Sequence, residues 1–199
     1  MRLTEVSVSM GEGQSDQKTT TPADAIDDAM AAIKWSRTHA SKLNLDPKRV
    51  AVLGWSAGAH LAASAAVFAK EHAERPSLLA LVSPAVSVVG DAHFRSLFPT
   101  GTNVENFSPA EHVVPSLPPT VIVTGRADTV TPLAEVKKFH ERMRAAGNLS
   151  ELNIYEDVGH MFTPKGQSDK EFPNPDKVVR QRAYDAIDAF LAKHTYIVN

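Results

Sequence analysis

The chain reads as an α/β protein, with a mostly parallel sheet of about four to five strands and helices on both faces. Three observations predict it. Short β-favouring runs alternate along the chain with longer segments of helical period. Two of those runs, 50–53 and 120–124, are uninterrupted and bounded by charge, proline or glycine. Between the first of them and an alanine-rich helical stretch stands the pentad Gly54-Trp55-Ser56-Ala57-Gly58, a strand-to-helix turn.

The elements follow in order. Val6-Ser7-Val8-Ser9-Met10 alternates apolar and polar, as a half-buried strand does; the other reading of this segment is a frayed terminus. The first helix is predicted over 21–43, with Thr21 at its start, Pro22 as its first residue and Asp24 helping to cap it. Ile26, Met30 and Ile33 form its buried stripe. After the strand at 50–53, Leu61, Ala62, Ala65, Ala66 and Ala69 recur at helical spacing. Residues 78–82 form the next strand. Residues 86–117 hold no long periodic segment, but Phe94, Leu97, Phe98 and Phe107 make them apolar, which fits a loop packed on the core or a pocket wall. A strand at 120–124 follows Pro118 and Pro119, then a helix over 132–146 and a strand over 151–155. The last helix, 176–193, turns Val178, Ala183, Ile187 and Phe190 inward. No repeat, low-complexity tract or linker divides the chain, so residues 1–199 read as one domain with 1–21 as an N-terminal segment.

Composition narrows the function classes. A length of 199 residues suits one sizeable core, and 43% apolar with 22% charged residues is ordinary for a globular protein. Acidic residues outnumber basic ones by 23 to 21, which argues against a nucleic-acid surface. No apolar stretch approaches the ~20 residues of a membrane span, and no basic-then-apolar leader opens the chain. A cytoplasmic location is the expectation. With no cysteine there is no disulfide or thiolate metal site, and no cofactor is implied.

The pentad carries the chemistry. A tight, strained turn needs small residues two before and two after the serine, and it holds the hydroxyl clear of the sheet at the positive end of a helix. A hydroxyl is a poor nucleophile until a base takes its proton, so a histidine and an orienting carboxylate are required downstream. Asp128 follows the strand at 120–124, in Gly125-Arg126-Ala127-Asp128, and His160 follows the strand at 151–155, in Gly159-His160-Met161-Phe162. The chain order is Ser56, Asp128, His160, with gaps of 72 (128 − 56) and 32 (160 − 128) residues. Serine, acid, histidine is the order of an α/β-hydrolase and not of the chymotrypsin or subtilisin arrangements. Each residue has a plainer reading. Ser56 is a turn serine, Asp128 caps the following turn through Thr131, and His160 is a satisfied surface histidine. Asp157 is a rival acid. Trp55 lines the substrate mouth or simply packs. His60 faces the core, His112 beside Glu111 lacks further metal ligands, and Lys137, Lys138, Arg142 and Arg144 are a solvated helix face.

On residues 46–50, 54–62, 118–132 and 155–162 the chain resembles the α/β-hydrolase superfamily, within it the hormone-sensitive-lipase-like and feruloyl- or acetyl-xylan-esterase-like groups. The likeness spans about residues 22–194. It implies a reduced α/β-hydrolase fold and a serine hydrolase of small carboxylic esters working through an acyl-enzyme. Ser56 is then the nucleophile, His160 the general base and acid, Asp128 the residue that holds the imidazole, and the Ala57 N–H an oxyanion donor. The pattern departs from such esterases in one place: no His-Gly-Gly loop precedes the elbow, where the glycines are Gly11 and Gly13 alone. Met1-Arg2-Leu3 looks like the Tyr-Arg-Leu that follows the family's fourth strand, so on that alignment the first four strands lie outside this sequence. The elbow strand is then an exposed apolar edge, which residues 3–10 cover within the chain or across a homodimer.

The function implied is a carboxylesterase for short acyl groups, since no lid helix or long acyl groove is evident. The alternative is a weak or inactive scaffold or interaction module of the same fold. A prolyl-oligopeptidase-like peptidase shares the Gly-Trp-Ser pattern, but the chain has no room for its gating domain.

Overall fold

The computed structural model describes residues 20–168 and 173–197. Four strands, β1 (Ala51–Trp55), β2 (Leu78–Val82), β3 (Thr120–Gly125) and β4 (Ser150–Tyr155), form one parallel sheet in the order β1-β2-β3-β4. The helices are α1 (Pro22–Thr38), α2 (Ala40–Leu43), α3 (Ala57–Phe68), α4 (Ala92–Ser96), α5 (Leu133–Ala145) and α6 (Lys177–Lys193). Successive side chains of a strand point to opposite faces, and both faces here are covered. Val52, Leu79, Leu81 and Ile122 pack under α1, α3 and α5 through Ile33, Ala62, Ala66, Val136, Phe139 and Met143. Leu78, Ala80, Val82, Val121 and Val123 pack under α6 through Ala183, Ile187, Phe190 and Leu191.

The alanines of α3 have a structural consequence for the elbow. Ala59, Ala62, Ala63, Ala65 and Ala66 are all buried, and with so little side chain the helix lies close against the sheet. A Cβ on Gly54 would stand 2.5 Å from Gly58 O and 2.6 Å from Ala59 Cα, closer than such atoms approach. Only glycine fits that position.

The first helix begins as expected. Asp24 Oδ2 accepts from the Thr21 N–H at 2.7 Å and from its hydroxyl at 2.8 Å. It does not run unbroken to Leu43, however. Trp35 O accepts from Thr38 Oγ1 at 3.0 Å and from His39 Nδ1 at 2.9 Å, the chain breaks at His39, and a short α2 follows until Asn44 turns left-handed. These side-chain bonds compete with the helical ladder. β1 extends through Gly54 and Trp55, so the first two residues of the pentad are strand. Val178 does not face in: it is 70% exposed, because it lies in the first turn of α6, where Asp176 Oδ1 caps the Val178 and Val179 N–H groups at 2.9 Å each.

Residues 86–117 are a packed loop. Phe98 stacks on Phe107 and meets Phe94 at a tilt, Phe94 meets His60 edge-on at 4.8 Å, and with Val88 and Val104 they make a satellite core. The α5 cations are more than a solvated face. Lys138 and Arg142 each reach Glu111 at 2.5 Å, and Arg142 also reaches Ala110 O. Burial opposes ionisation of Glu111, but the two cations hold its carboxyl below the usual range.

β1 pairs with β2 on one side; its other side has no strand partner among the described residues. Beside it lies an apolar groove lined by Ala29, Ile33, Val52, Leu53, Leu61 and Ala62. Residues 3–10, expected to cover this edge, lie outside the described residues.

Candidate active site

Trp55 pairs with Val82 and Val82 with Val123, while β3 and β4 run two residues further to the pair Gly125 and Tyr155, so the carboxyl ends of all four strands lie at one rim of the sheet. In open α/β sheets that carboxyl rim is where ligands bind. The turns that leave it carry the three residues singled out in the sequence.

Ser56 follows β1 with φ 51° and ψ −116°, the strained turn the pentad requires. Its N–H is taken by Val82 O at 2.9 Å, and its carbonyl accepts from Ala59, His60 and Ala85. The backbone is thus held from three directions and the hydroxyl points outward. Ala57 opens α3, and its N–H belongs to the first turn, where no intrahelical acceptor exists.

His160 Nε2 lies 3.0 Å from Ser56 Oγ, and His160 Nδ1 lies 3.0 Å from Asp128 Oδ2. The pair is sheltered: the side chain of Asp128 is fully buried and that of His160 is 10% exposed. Asp128 turns its two oxygens to different partners. Oδ1 caps the turn, accepting from the N–H of Val130 at 3.0 Å and of Thr131 at 2.7 Å. Oδ2 faces His160. Asp157, the rival acid, is exposed and plays no part in this arrangement.

The loops bearing acid and base are laced to each other. Ala127 N–H donates to Val158 O at 2.9 Å, and Arg126 N–H to Tyr155 O at 2.8 Å. A Cβ on Gly125 would stand 2.4 Å from both Val158 O and Gly159 O, so this strand end must be glycine for the loops to meet. The histidine turn closes on itself through Gly159 N–H to Thr163 O at 2.7 Å, and it places Met161 and Phe162 at φ 51° and 64°.

Ser83 and Thr131 join this site beyond what the sequence singles out for it. Ser83, directly after β2, is wholly buried at φ 43°; its Oγ accepts from the Met161 N–H at 3.1 Å and its carbonyl lies 3.1 Å from Thr131 Oγ1. That same hydroxyl is 2.9 Å from Asp128 Oδ2 and 3.3 Å from His160 Nδ1. Thr131 was read only as the partner of a cap. The available signal was its place three residues after the acid.

The remaining expectations resolve simply. Trp55 lies on the α6 face of the sheet, half-buried, with its indole N–H on Tyr184 Oη at 3.3 Å, so packing accounts for it. His60 is 1% exposed and core-facing as expected: Nδ1–H donates to Ala85 O at 3.0 Å, and burial pushes its pKa down to about 4. His112 Nε2 donates to Glu105 O, and no three metal-binding side chains cluster among the described residues.

Comparison with known proteins agrees with this fold. The family described as the alpha/beta hydrolase fold matches residues 19–106. Among solved structures, Thermogutta terrifontis esterase 2 superposes with a TM-score of 0.77 at 27% identity, over 92% of this chain and 70% of that one. Among curated proteins, the Mycobacterium tuberculosis probable carboxylic ester hydrolase LipM is 26% identical over 145 residues, which is 61% of this chain and 34% of that protein. Esterase LipC of the same organism is 29% identical over 163 residues, 68% of this chain and 40% of LipC. The chain spans about a third of the length of the curated relatives it matches.

Proposed function

We propose that this chain, which has the α/β-hydrolase fold and resembles the esterases that share it, is a serine hydrolase of carboxylic esters with short acyl groups. One observation carries the reading: a continuous relay from Ser56 Oγ to His160 Nε2 and from His160 Nδ1 to Asp128 Oδ2, each step 3.0 Å.

Ser56 Oγ attacks the acyl carbon while its proton passes to His160 Nε2. Asp128 keeps the imidazole in the tautomer that can accept it and stabilises the imidazolium that forms. The carbonyl oxygen becomes an oxyanion against the Ala57 N–H. As the intermediate collapses, the C–O bond to the alcohol breaks and Nε2 returns the proton to the leaving oxygen. Water then repeats the sequence on the acyl-enzyme, losing its proton to Nε2 and releasing the acid with Ser56 restored. Short acyl groups are supported by the propionate- and butyrate-bound states of the T. terrifontis enzyme.

A weak or inactive scaffold is the second reading. One observation favours it: Ala57 N–H is the one oxyanion donor assigned, and losing one donor costs roughly 10²–10³ in turnover in a comparable site. Residues 11–13, which hold the glycines upstream of the elbow, lie outside the described residues. Hydrolysis of p-nitrophenyl acetate by the chain beside its Ser56→Ala variant separates the two. Activity abolished by the substitution supports the hydrolase, and equal background rates support the scaffold. A homodimer through the β1 edge belongs to this proposal and is checked by light scattering.

A further inference from the structure

We propose that Thr131 is the positioning residue of the triad, its hydroxyl fixing the Asp128 oxygen that faces His160 and tying it to the end of β2. The proposal rests on reading Ser56, His160 and Asp128 as a catalytic triad. Four strand ends meet at the site rim. The turns after β1, β3 and β4 carry nucleophile, acid and base, while the end of β2 carries no reacting group. It carries Ser83, whose carbonyl meets Thr131 in the acid loop and whose hydroxyl meets the N–H of Met161 in the histidine turn.

A carboxylate's terminal torsion is broad, so Asp128's own rotamer does not fix the plane in which its oxygen meets the imidazole. Thr131 grips both oxygens. Its N–H holds Oδ1 at 2.7 Å, and its hydroxyl lies 2.9 Å from Oδ2. Rotation of the carboxylate breaks both contacts together.

The hydroxyl has one proton to give and lone pairs to receive. Given to Oδ2, the proton adds a second donor to the oxygen that accepts from Nδ1–H. Given to Ser83 O, 3.1 Å away, it anchors the threonine to the sheet and leaves a lone pair 3.3 Å from Nδ1. Ser83 completes the anchor on the base side, since its Oγ accepts from the N–H of Met161, the residue after His160. Thr131 is 5% exposed and Ser83 is 0% exposed, so water has little access to replace either contact.

The test compares wild type, Thr131→Val and Thr131→Ser. Valine preserves shape and removes the hydroxyl; serine keeps the hydroxyl and removes the methyl. Four quantities are measured: kcat and KM for p-nitrophenyl acetate, the melting temperature, and the His160 Nδ1–H proton resonance. The proposal predicts that Thr131→Val lowers kcat by roughly tenfold or more with KM within about twofold, as a misplaced catalytic group does. It also predicts that Thr131→Ser regains most of the rate, and that the Nδ1–H resonance moves in the valine variant alone. A valine variant with wild-type kcat overturns the proposal, as does a serine variant as slow as valine. If wild type turns over no faster than Ser56→Ala, the hydrolase reading fails on its own, and the resonance decides: moved by valine alone, it sustains the positioning role, and unmoved, it refutes it.

Discussion

The acid–base half of the rim and the nucleophile half are built on different principles. Around Asp128 and His160 the polar groups have protein partners: two N–H groups and a hydroxyl on the carboxylate, and two loops laced by backbone bonds. Around Ser56 the backbone is fixed equally firmly, but among the described residues the hydroxyl meets the imidazole alone, and the Ala57 N–H belongs to the first turn of α3. Beyond it, β1 has no strand partner on its outer side among the described residues. The contrast teaches a division of labour. The acid–base half is complete within itself, while under the proposed function the nucleophile half is completed by the substrate oxyanion.

The sharpest break falls on the self-contained half. Asp128→Asn should cost roughly 10⁴ in kcat, because an amide favours the wrong imidazole tautomer. The same variant should also lower stability, since Oδ1 caps the turn, and thermal melting beside kinetics separates the two effects. Gly125→Ala comes next. Its methyl would press on two carbonyl oxygens at 2.4 Å and part the acid and base loops, so a loss of roughly 10² in kcat is expected, as a displacement on the order of 1 Å can cause. An alanine variant with wild-type turnover would show that the loops tolerate separation.

His60 gives a pH signature on the nucleophile side. Its folded pKa, about 4, lies below its ordinary 6.5, so between those values the unfolded chain binds more protons than the folded one. Its contribution to stability is therefore whole above pH 6.5 and is lost as pH falls towards 4, by about 3 kcal/mol at most. Denaturant unfolding of wild type and His60→Gln across that window should show the wild-type curve falling more steeply. Parallel curves would mean that the histidine does not titrate between the states. Trp55→Phe is the smallest change: loss of the bond to Tyr184 should cost about 1 kcal/mol of stability with KM unchanged. A raised KM would place the indole at the substrate mouth instead.

Much of this was legible because local chemistry and tertiary demand coincide. The elbow could be read from Gly54 and the alanines of α3, since close helix–strand approach needs small residues on both sides. The order Ser56, Asp128, His160 was legible because each stands just after a β-favouring run. The bounds of β2, and those of α1 at its N-terminus, followed from apolar period and caps. Other features depend on contacts that no local pattern announces. Nothing beside Lys138 and Arg142 names Glu111, which is 27 and 31 residues away in sequence. The break at His39 depends on its ring nitrogen reaching Trp35 O. Val178 fits a helical stripe yet lies in a capped first turn, where the core is out of reach. Ser83 and Thr131 look like any strand-end serine and turn threonine until the loops are brought together.

The central claim is that Ser56 is a nucleophile activated by His160, and covalent trapping tests it most directly. The T. terrifontis esterase is phosphorylated by paraoxon. This chain, treated with paraoxon and digested, should carry one diethyl phosphoryl group on the peptide containing Ser56, with none on the Ser56→Ala variant and slower labelling of His160→Ala. An unlabelled chain, or label that persists on the Ser56→Ala variant, would contradict the account.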